Sequence, residues 1–223
     1  MPVLEEQAQV AQALEALADA RAAGAEVIVV DGGSRDATRT LAEPRADRVI
    51  ESARGRARQM NAGAALARAP ILLFLHADTR LPPNAIGLVV DGVGPGAAWG
   101  RFDVRIEGRD PLLRLVAACM NLRSRLSGIA TGDQAIFVRR DAFERAGGFP
   151  DIPLMEDVAL SRALRRRSPP LCLRERVATS GRRWERGGTL RTVVLMWRLR
   201  LAFALGADPG SLARRYGVER TSS

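Results

Sequence analysis

Lysine is absent from this chain, and all 34 of its basic side chains are arginine. That bias fits a GC-rich genome, in which arginine serves wherever a cation is needed. Aromatic residues are scarce at 4%, and there is a single histidine, His76. The two cysteines, Cys119 and Cys172, lie far apart in sequence. They exclude a disulfide framework and a cysteine-built zinc site. A reducing compartment fits this usage, so a cytoplasmic location is expected. Long apolar runs are also missing. The longest, such as Ile71–Leu75 and Val193–Trp197, fall far short of a bilayer span, so no transmembrane segment is expected. Met1-Pro-Val-Leu-Glu-Glu has neither the basic region nor the apolar core of a signal peptide, and none is expected. What is present, 47% hydrophobic and 26% charged residues in a chain of 223, is ordinary globular composition for one domain and excludes a disordered chain.

The formal net charge of +9 is local rather than general. Residues 161–200 hold twelve arginines against Glu175 and Glu185, a surplus of +10, and the remainder of the chain sums to −1. A stripe that binds single-stranded nucleic acid usually interleaves aromatics for base stacking, and only Trp184 and Trp197 lie in this segment. A basic protein that binds nucleic acid or an anionic membrane without catalysis is the rival reading from composition. The helix expected over 189–205 does not form a clean amphipath for it. Arg191 and Arg198 share one face and Arg200 lies opposite.

Short β-branched runs alternate with helical patterns. Residues 5–22 read as an amphipathic helix through Val10, Leu14 and Leu17, ended by Gly24. Glu26–Val30 and Ile71–Leu75 read as buried strands and Arg48–Glu51 as a third. Helices are expected over 55–68, 84–90, 111–126, 141–146, 156–166 and 189–205, with strands over 97–106 and 134–138 and an extended stretch near 171–179. This order predicts an α/β domain with a mostly parallel sheet and helices on both faces. Ligands bind such sheets beyond the carboxyl ends of the strands. Two strands end in acids there, at Asp31 and at His76-Ala-Asp78. The helix over 5–22 needs a strand before it, and only Pro2-Val3-Leu4 is present. The amino-terminal strand is therefore expected to be truncated, with about five to ten further Val- and Ile-rich residues encoded upstream.

Five short constellations carry candidate chemistry, each against a plain structural alternative. Asp31-Gly-Gly-Ser offers a tight turn and an acceptor for a base or ribose, or simply a capped turn. His76-Ala-Asp78 suits a divalent metal held jointly with a diphosphate, or caps the turn into Pro82-Pro83. Met155-Glu156-Asp157 places two acids at a helix start, where the dipole favours them, and supplies a candidate general base. Thr131-Gly-Asp133-Gln134 sets polar groups before an apolar strand. Arg182-Arg183-Trp184, in a glycine-flanked stretch read as a loop, matches diphosphate oxygens or is a solvated basic loop.

The order of these pieces carries more than any one of them. Pro2-Val-Leu-Glu-Glu is followed by Val-Ile-Val-Val-Asp31-Gly-Gly-Ser-Arg-Asp, Gly55-Arg-Ala-Arg-Gln-Met-Asn61-Ala-Gly, Leu-Phe-Leu-His76-Ala-Asp-Thr, Gly132-Asp-Gln, Gly147-Gly-Phe-Pro, Met155-Glu-Asp and Arg182-Arg-Trp. This series resembles a family 2 glycosyltransferase of GT-A fold over residues 2–217. It is most similar to a compact bacterial subgroup with His-Ala-Asp-Thr in place of Asp-x-Asp, some members of which are associated with arsenosugar biosynthesis. The resemblance implies one domain over 1–223: a nucleotide-binding half at about 1–100, an acceptor-binding half at about 101–188 and carboxyl-terminal helices at about 189–216. It implies transfer of a sugar from a UDP- or GDP-sugar to an acceptor hydroxyl with inversion, aided by Mg²⁺ or Mn²⁺. Asp31, Arg56, Gln59 and Asn61 would bind the nucleotide, and Asp78 the metal, with His76 at the position of the first acid of Asp-x-Asp. Asp157 would be the base with Glu156 beside it. Asp133, Gln134, Arg182, Arg183 and Trp184 would serve the acceptor or diphosphate. The acceptor would be a small or lipid-linked molecule, the latter with a peripheral contact at the inner membrane face, and no nucleic acid is expected as a partner. A nucleotidyltransferase of similar fold would need a glycine-rich loop on the first strand, which is absent. The pattern Pro-x-x-Asn-Glu is departed from at Glu5.

Overall fold

The structure, a computed structural model, describes residues 1–94 and 96–217. The β-branched run ending at Asp31 forms the middle of a three-stranded parallel sheet. β1 (Pro2–Val3) and β3 (Arg48–Glu51) flank β2 (Ile28–Asp31), all four residues of which are buried. The helix expected over 5–22 forms as two shorter ones, α1 (Val10–Glu15) and α2 (Ala18–Ala22). Residues 5–7 are held outside it. Their backbone N–H groups donate to the side chains of Ser34, Thr38 and Asp36, and Glu5 takes a left-handed φ of +54°. This latch ties the amino-terminal segment to the turn before α3 (Thr38–Ala42).

The second sheet has five strands in the order β4-β7-β6-β8-β5. They are β4 (Ile71–Leu73), β5 (Thr79–Arg80), β6 (Trp99–Glu107), β7 (Phe137–Arg139) and β8 (Leu171–Ser180). The parallel arrangement expected holds throughout the amino-terminal sheet. In the larger sheet only β6 and β8 run parallel, and the other three junctions are antiparallel. Strand order depends on contacts between distant segments, which periodicity does not carry. Trp99, Phe102 and Phe137 are completely buried and fill the middle of this sheet. Phe74, Phe143 and Phe149 form a second cluster, with Phe74 and Phe149 edge to face at 4.8 Å.

Helices α4 (Arg56–Leu66), α5 (Ala85–Gly92), α6 (Leu112–Ser127), α7 (Arg140–Arg145) and α8 (Glu156–Arg165) cover the sheets. The stretch around Arg182-Arg183-Trp184, expected as a loop, is a short helix, α9 (Arg182–Gly187). It leads into α10 (Thr189–Ala204) and α11 (Pro209–Tyr216). The last helix starts at Asp208, whose carboxylate accepts from the Ser211 N–H at 2.7 Å, with Pro209 in the first turn. β1 is only two residues long, and beside it lies an apolar cavity of about 290 Å³ between β2 and β4. Ile28, Val30, Leu72, Phe74, Met60 and Ala64 are among its walls. The Met1 amine donates to the Ile28 carbonyl at 2.8 Å, and burial pulls its pKa down to about 5.

Candidate active site

Beyond the carboxyl end of β4 the chain continues through Leu75 into His76-Ala-Asp78, and three other segments meet it. Gly132 is the meeting point. A Cβ there would lie 2.5 Å from the His76 Cε1, so any side chain at this position would push the imidazole aside. The Gly132 N–H donates to the Asp157 Oδ2 at 2.8 Å, joining the turn to the start of α8. The neighbouring Asp133 carboxylate stands 3.7 Å from His76 Nδ1. The turn at Gly132–Gln134 is itself fixed by a capping box, in which the Thr131 N–H donates to the Gln134 side chain at 3.2 Å. Both ends of this junction hold unusual backbone. Ala135 has φ +47° and Met155, which precedes the two acids, has φ +70°. Strain of this kind persists where the surroundings impose it, often at functional sites.

The charges are interdependent. Burial opposes a charge on His76, but Asp133, helped by Asp78, outweighs it and raises the imidazole pKa. Burial pushes Asp133 the other way from its net shift, and His76 and Arg56 together hold it below the usual carboxylate range. Glu156 is only 4% exposed and pairs with the Arg56 Nε at 3.0 Å. Burial raises its pKa in spite of Arg56, and its second oxygen has no hydrogen-bond partner among the described residues. Asp157 differs. It is half-buried, and its other oxygen accepts the N–H of Val158 at 2.7 Å.

Arg123, Arg200 and Tyr216, none of which was expected at the site from the sequence, complete the cluster. Arg123 of α6 and Arg200 of α10 both act electrostatically on Asp157, and Arg200 acts on Asp133 as well. Burial and the like charge of Arg200 pull the Arg123 pKa down to about 10. One Arg123 nitrogen is buried without a hydrogen-bond partner among the described residues. Tyr216 of α11 stacks under Arg183, whose guanidinium carbon is 3.6 Å from the ring centre. No local pattern marks these residues, because the acids they meet lie on other elements.

A family model described as glycosyl transferase family 2 matches residues 1–145, well over half the chain. The chain belongs to glycosyl transferase family 2. Comparison with curated proteins returns no match. Among solved structures, it is similar to a mannosyltransferase from Pyrobaculum calidifontis in complex with GDP-Man and Mn²⁺, with TM-score 0.63 and 21% identity over 90% of this chain and 59% of that one. It is also similar to glucosyl-3-phosphoglycerate synthase from Mycobacterium tuberculosis in complex with Mn²⁺, UDP and glucosyl-3-phosphoglycerate, with TM-score 0.61 and 17% identity over 99% of this chain and 79% of that one. TarS 1-349 of S. aureus gives TM-score 0.62 and 15% identity, with 81% and 59% covered. The chain thus spans about three fifths of the length of the mannosyltransferase and TarS. At these identities the likeness is one of fold.

The remaining residues expected in the family 2 site are placed unevenly. Arg56 joins the cluster through Glu156. Asp31 is buried, and its carboxylate accepts the N–H groups of Gly33 and Ser34 at 3.2 and 2.9 Å as well as the Ser34 hydroxyl. Gln59 lies beneath that turn and donates to the carbonyls of Val3 and Val30, both at 2.8 Å. Asn61 latches the Gly147–Phe149 turn, donating to the Phe149 carbonyl at 2.8 Å and accepting its N–H at 3.0 Å. Gln134 is fully buried in the capping box, and Trp184 packs against the main core. Arg182 is exposed, bonds to Ser180 and Gln9, and acts on Glu6, which in turn feels Asp78. Glu6, met in the sequence only as part of Pro2-Val-Leu-Glu-Glu, is a further acid at this mouth.

No group of three or more metal-ligating side chains occurs among the described residues. Asp78 is half-buried, and among the described residues its carboxylate accepts only the Thr79 hydroxyl, at 3.3 Å. That donor set fits Mg²⁺ or Mn²⁺ taking most of its ligands from a substrate diphosphate and water, and it does not fit a metal held by protein alone.

Proposed function

We propose that this family 2 chain is an inverting glycosyltransferase that moves a sugar from a UDP- or GDP-sugar to the hydroxyl of an anionic acceptor. The observation that carries the reading is the convergence of His76, Asp133 and Asp157 on Gly132 beside Asp78, at the carboxyl edge of the sheet. The metal complexes of the mannosyltransferase and the synthase support a nucleotide-sugar donor and a divalent ion.

In this reading Asp157 is the general base. It is the acid with an open side, whereas Glu156 is enclosed against Arg56. The Gly132 N–H and the amino end of α8 hold its carboxylate in place. The acceptor oxygen forms a bond to the anomeric carbon from the face opposite the diphosphate. The bond from that carbon to the diphosphate oxygen breaks, and the acceptor proton passes to Asp157. One displacement inverts the configuration and needs no covalent nucleophile. Asp78, with His76 behind it, would hold the divalent ion, which when bound offsets charge developing on the leaving nucleoside diphosphate. Arg182, at the same mouth, stabilises that charge from the protein side. Arg123 and Arg200 are the anchor for an acidic group on the acceptor, because their charges crowd one another and a buried Arg123 nitrogen has no hydrogen-bond partner among the described residues.

The nucleic-acid reading loses support from the arginines themselves. Arg162 stacks on Phe203, Arg165 bonds to the Ser127 carbonyl and Arg183 to that of Tyr216. The test is calorimetry of UDP and GDP with Mn²⁺, followed by turnover. Asp78→Ala should abolish the metal-dependent part of nucleotide binding. Asp157→Asn should lower turnover by roughly 10²–10⁴-fold with donor affinity retained. Unchanged nucleotide binding in the first variant, or collapsed donor binding in the second, overturns the assignment.

A further inference from the structure

Apolar side chains exposed singly on a surface need no explanation, but here they are concentrated. Eight of the eleven strongly exposed large apolar residues lie on α6 and α10 and a ninth, Leu205, caps α10, leaving only Leu66 and Val90 elsewhere among the described residues. Along α10 they are Leu190, Val194, Trp197 and Leu201, continued by Leu205 at its carboxyl-terminal cap, spaced by four, three, four and four, which is a single helix face. Trp197 is 71% exposed and Leu205 80%. The opposite face of the helix holds the buried Thr192 and Leu199. On α6, Leu115, Leu122 and Leu126 repeat the pattern, opposite the buried Leu113, Ala117 and Asn121.

The two helices are parallel neighbours. At their amino ends the Thr189 hydroxyl donates to Asp110, and towards their carboxyl ends Arg123 and Arg200 sense each other. With Arg123 and Arg200 at the seam, the spacing of each stripe from its own seam residue turns both stripes to the same side of the molecule. Neither helix contains a single Asp or Glu. Arg114, Arg191 and Arg198 are exposed along them. The result is a broad apolar face with a tryptophan and an arginine rim. An amphipathic helix that lies in a lipid interface has this composition, with apolar residues entering the acyl boundary and cations meeting acidic headgroups. A nucleic acid would use the arginines and leave the leucines in water.

We infer that the α6–α10 face docks on the surface of an anionic lipid bilayer, without crossing it. No described helix is long and apolar enough to span a membrane. The inference does not depend on the catalytic reading, since its test uses no substrate. The probes are vesicles of phosphatidylcholine alone and of phosphatidylcholine with 30% phosphatidylglycerol. The protein should co-sediment with the acidic vesicles at least tenfold more than with the neutral ones, and Trp197 emission should shift to the blue. Trp99 is buried and Trp184 half-buried, so Trp197→Phe should remove that shift. Val194→Glu with Leu201→Glu should lower vesicle binding at least tenfold, and both sites are exposed, so the fold is kept. Arg191→Gln with Arg198→Gln should lower binding to acidic vesicles selectively. Absence of binding and of the fluorescence shift in the unaltered protein overturns the inference. So does a concentration-dependent dimer, seen by analytical ultracentrifugation, that the two Glu substitutions dissolve, because a second copy would then be the occupant.

Discussion

Arg56→Met offers a quantitative test of the charge arrangement beneath the proposed base. The substitution keeps most of the side-chain volume and removes the guanidinium that faces Glu156 at 3.0 Å. Breaking a fully buried ion pair by deleting one partner costs about 3–5 kcal/mol, since the other charge is left uncompensated. Glu156 is 4% exposed, but Arg56 is 44% exposed, so water enters on the vacated side and the cost falls to about 2 kcal/mol at neutral pH. Glu156 can also escape by taking up a proton. Burial already raises its pKa, Asp157 pushes in the same direction, and Arg56 is the main group holding it down. Without Arg56 it rises further. A carboxyl group whose folded pKa lies above its unfolded value contributes fully below the unfolded pKa and loses that contribution as pH climbs through the folded one. The deficit of the variant relative to the unaltered protein should therefore be small near pH 5 and grow towards pH 8. Its slope is at most about 1.4 kcal/mol per pH unit.

Urea unfolding of both proteins at pH 5, 6, 7 and 8 measures this difference, and groups that titrate equally in both cancel. A loss of about 2 kcal/mol corresponds to roughly 4–8 °C in Tm for a domain of this size. Glu156→Gln combined with Arg56→Met removes the stranded charge and should restore most of the stability at pH 8. A deficit that is the same at every pH, or a double variant as unstable as the single one, refutes the reasoning.

Gly132→Ala should force the His76 ring away, because the added methyl would approach it to 2.5 Å. The expected result is a loss of about 1–3 kcal/mol in stability and at least a tenfold weakening of metal-dependent nucleotide binding by calorimetry, and unchanged values for both would remove Gly132 from its place at the junction. Joining a six-residue Val- and Ile-rich strand to the amino end of Met1 should raise the Tm by several degrees, because the cavity beside β2 would fill and the buried amine would become a peptide N–H. A Tm that stays level or falls shows that the cavity does not admit a strand.

The elements that local chemistry dictates were legible in the sequence. Val27–Val30 and Ile71–Leu75 are runs too apolar to face water, and the acids that follow them mark the ligand edge of an α/β sheet. The junction of His76, Asp133 and Asp157 was legible only as ordered motifs, since these residues come from distant segments that meet at Gly132 only in the fold. Gln59 and Asn61 carry groups suited to a ligand, and their chemistry is the same whether the partner is a nucleotide or a backbone carbonyl. Only the fold shows that Val3, Val30 and Phe149 take those hydrogen bonds. The helix over 189–205 shows the limit most clearly. Arg200 spoils its amphipathic pattern when the helix is read alone. In the structure Arg200 turns towards Asp133 and Asp157, which come from distant segments, and its charge belongs to the site. With that residue accounted for, the stripe from Leu190 to Leu205 is uninterrupted, and the irregular helix of the sequence becomes a two-sided one. One side completes the candidate active site and the other is open to an interface.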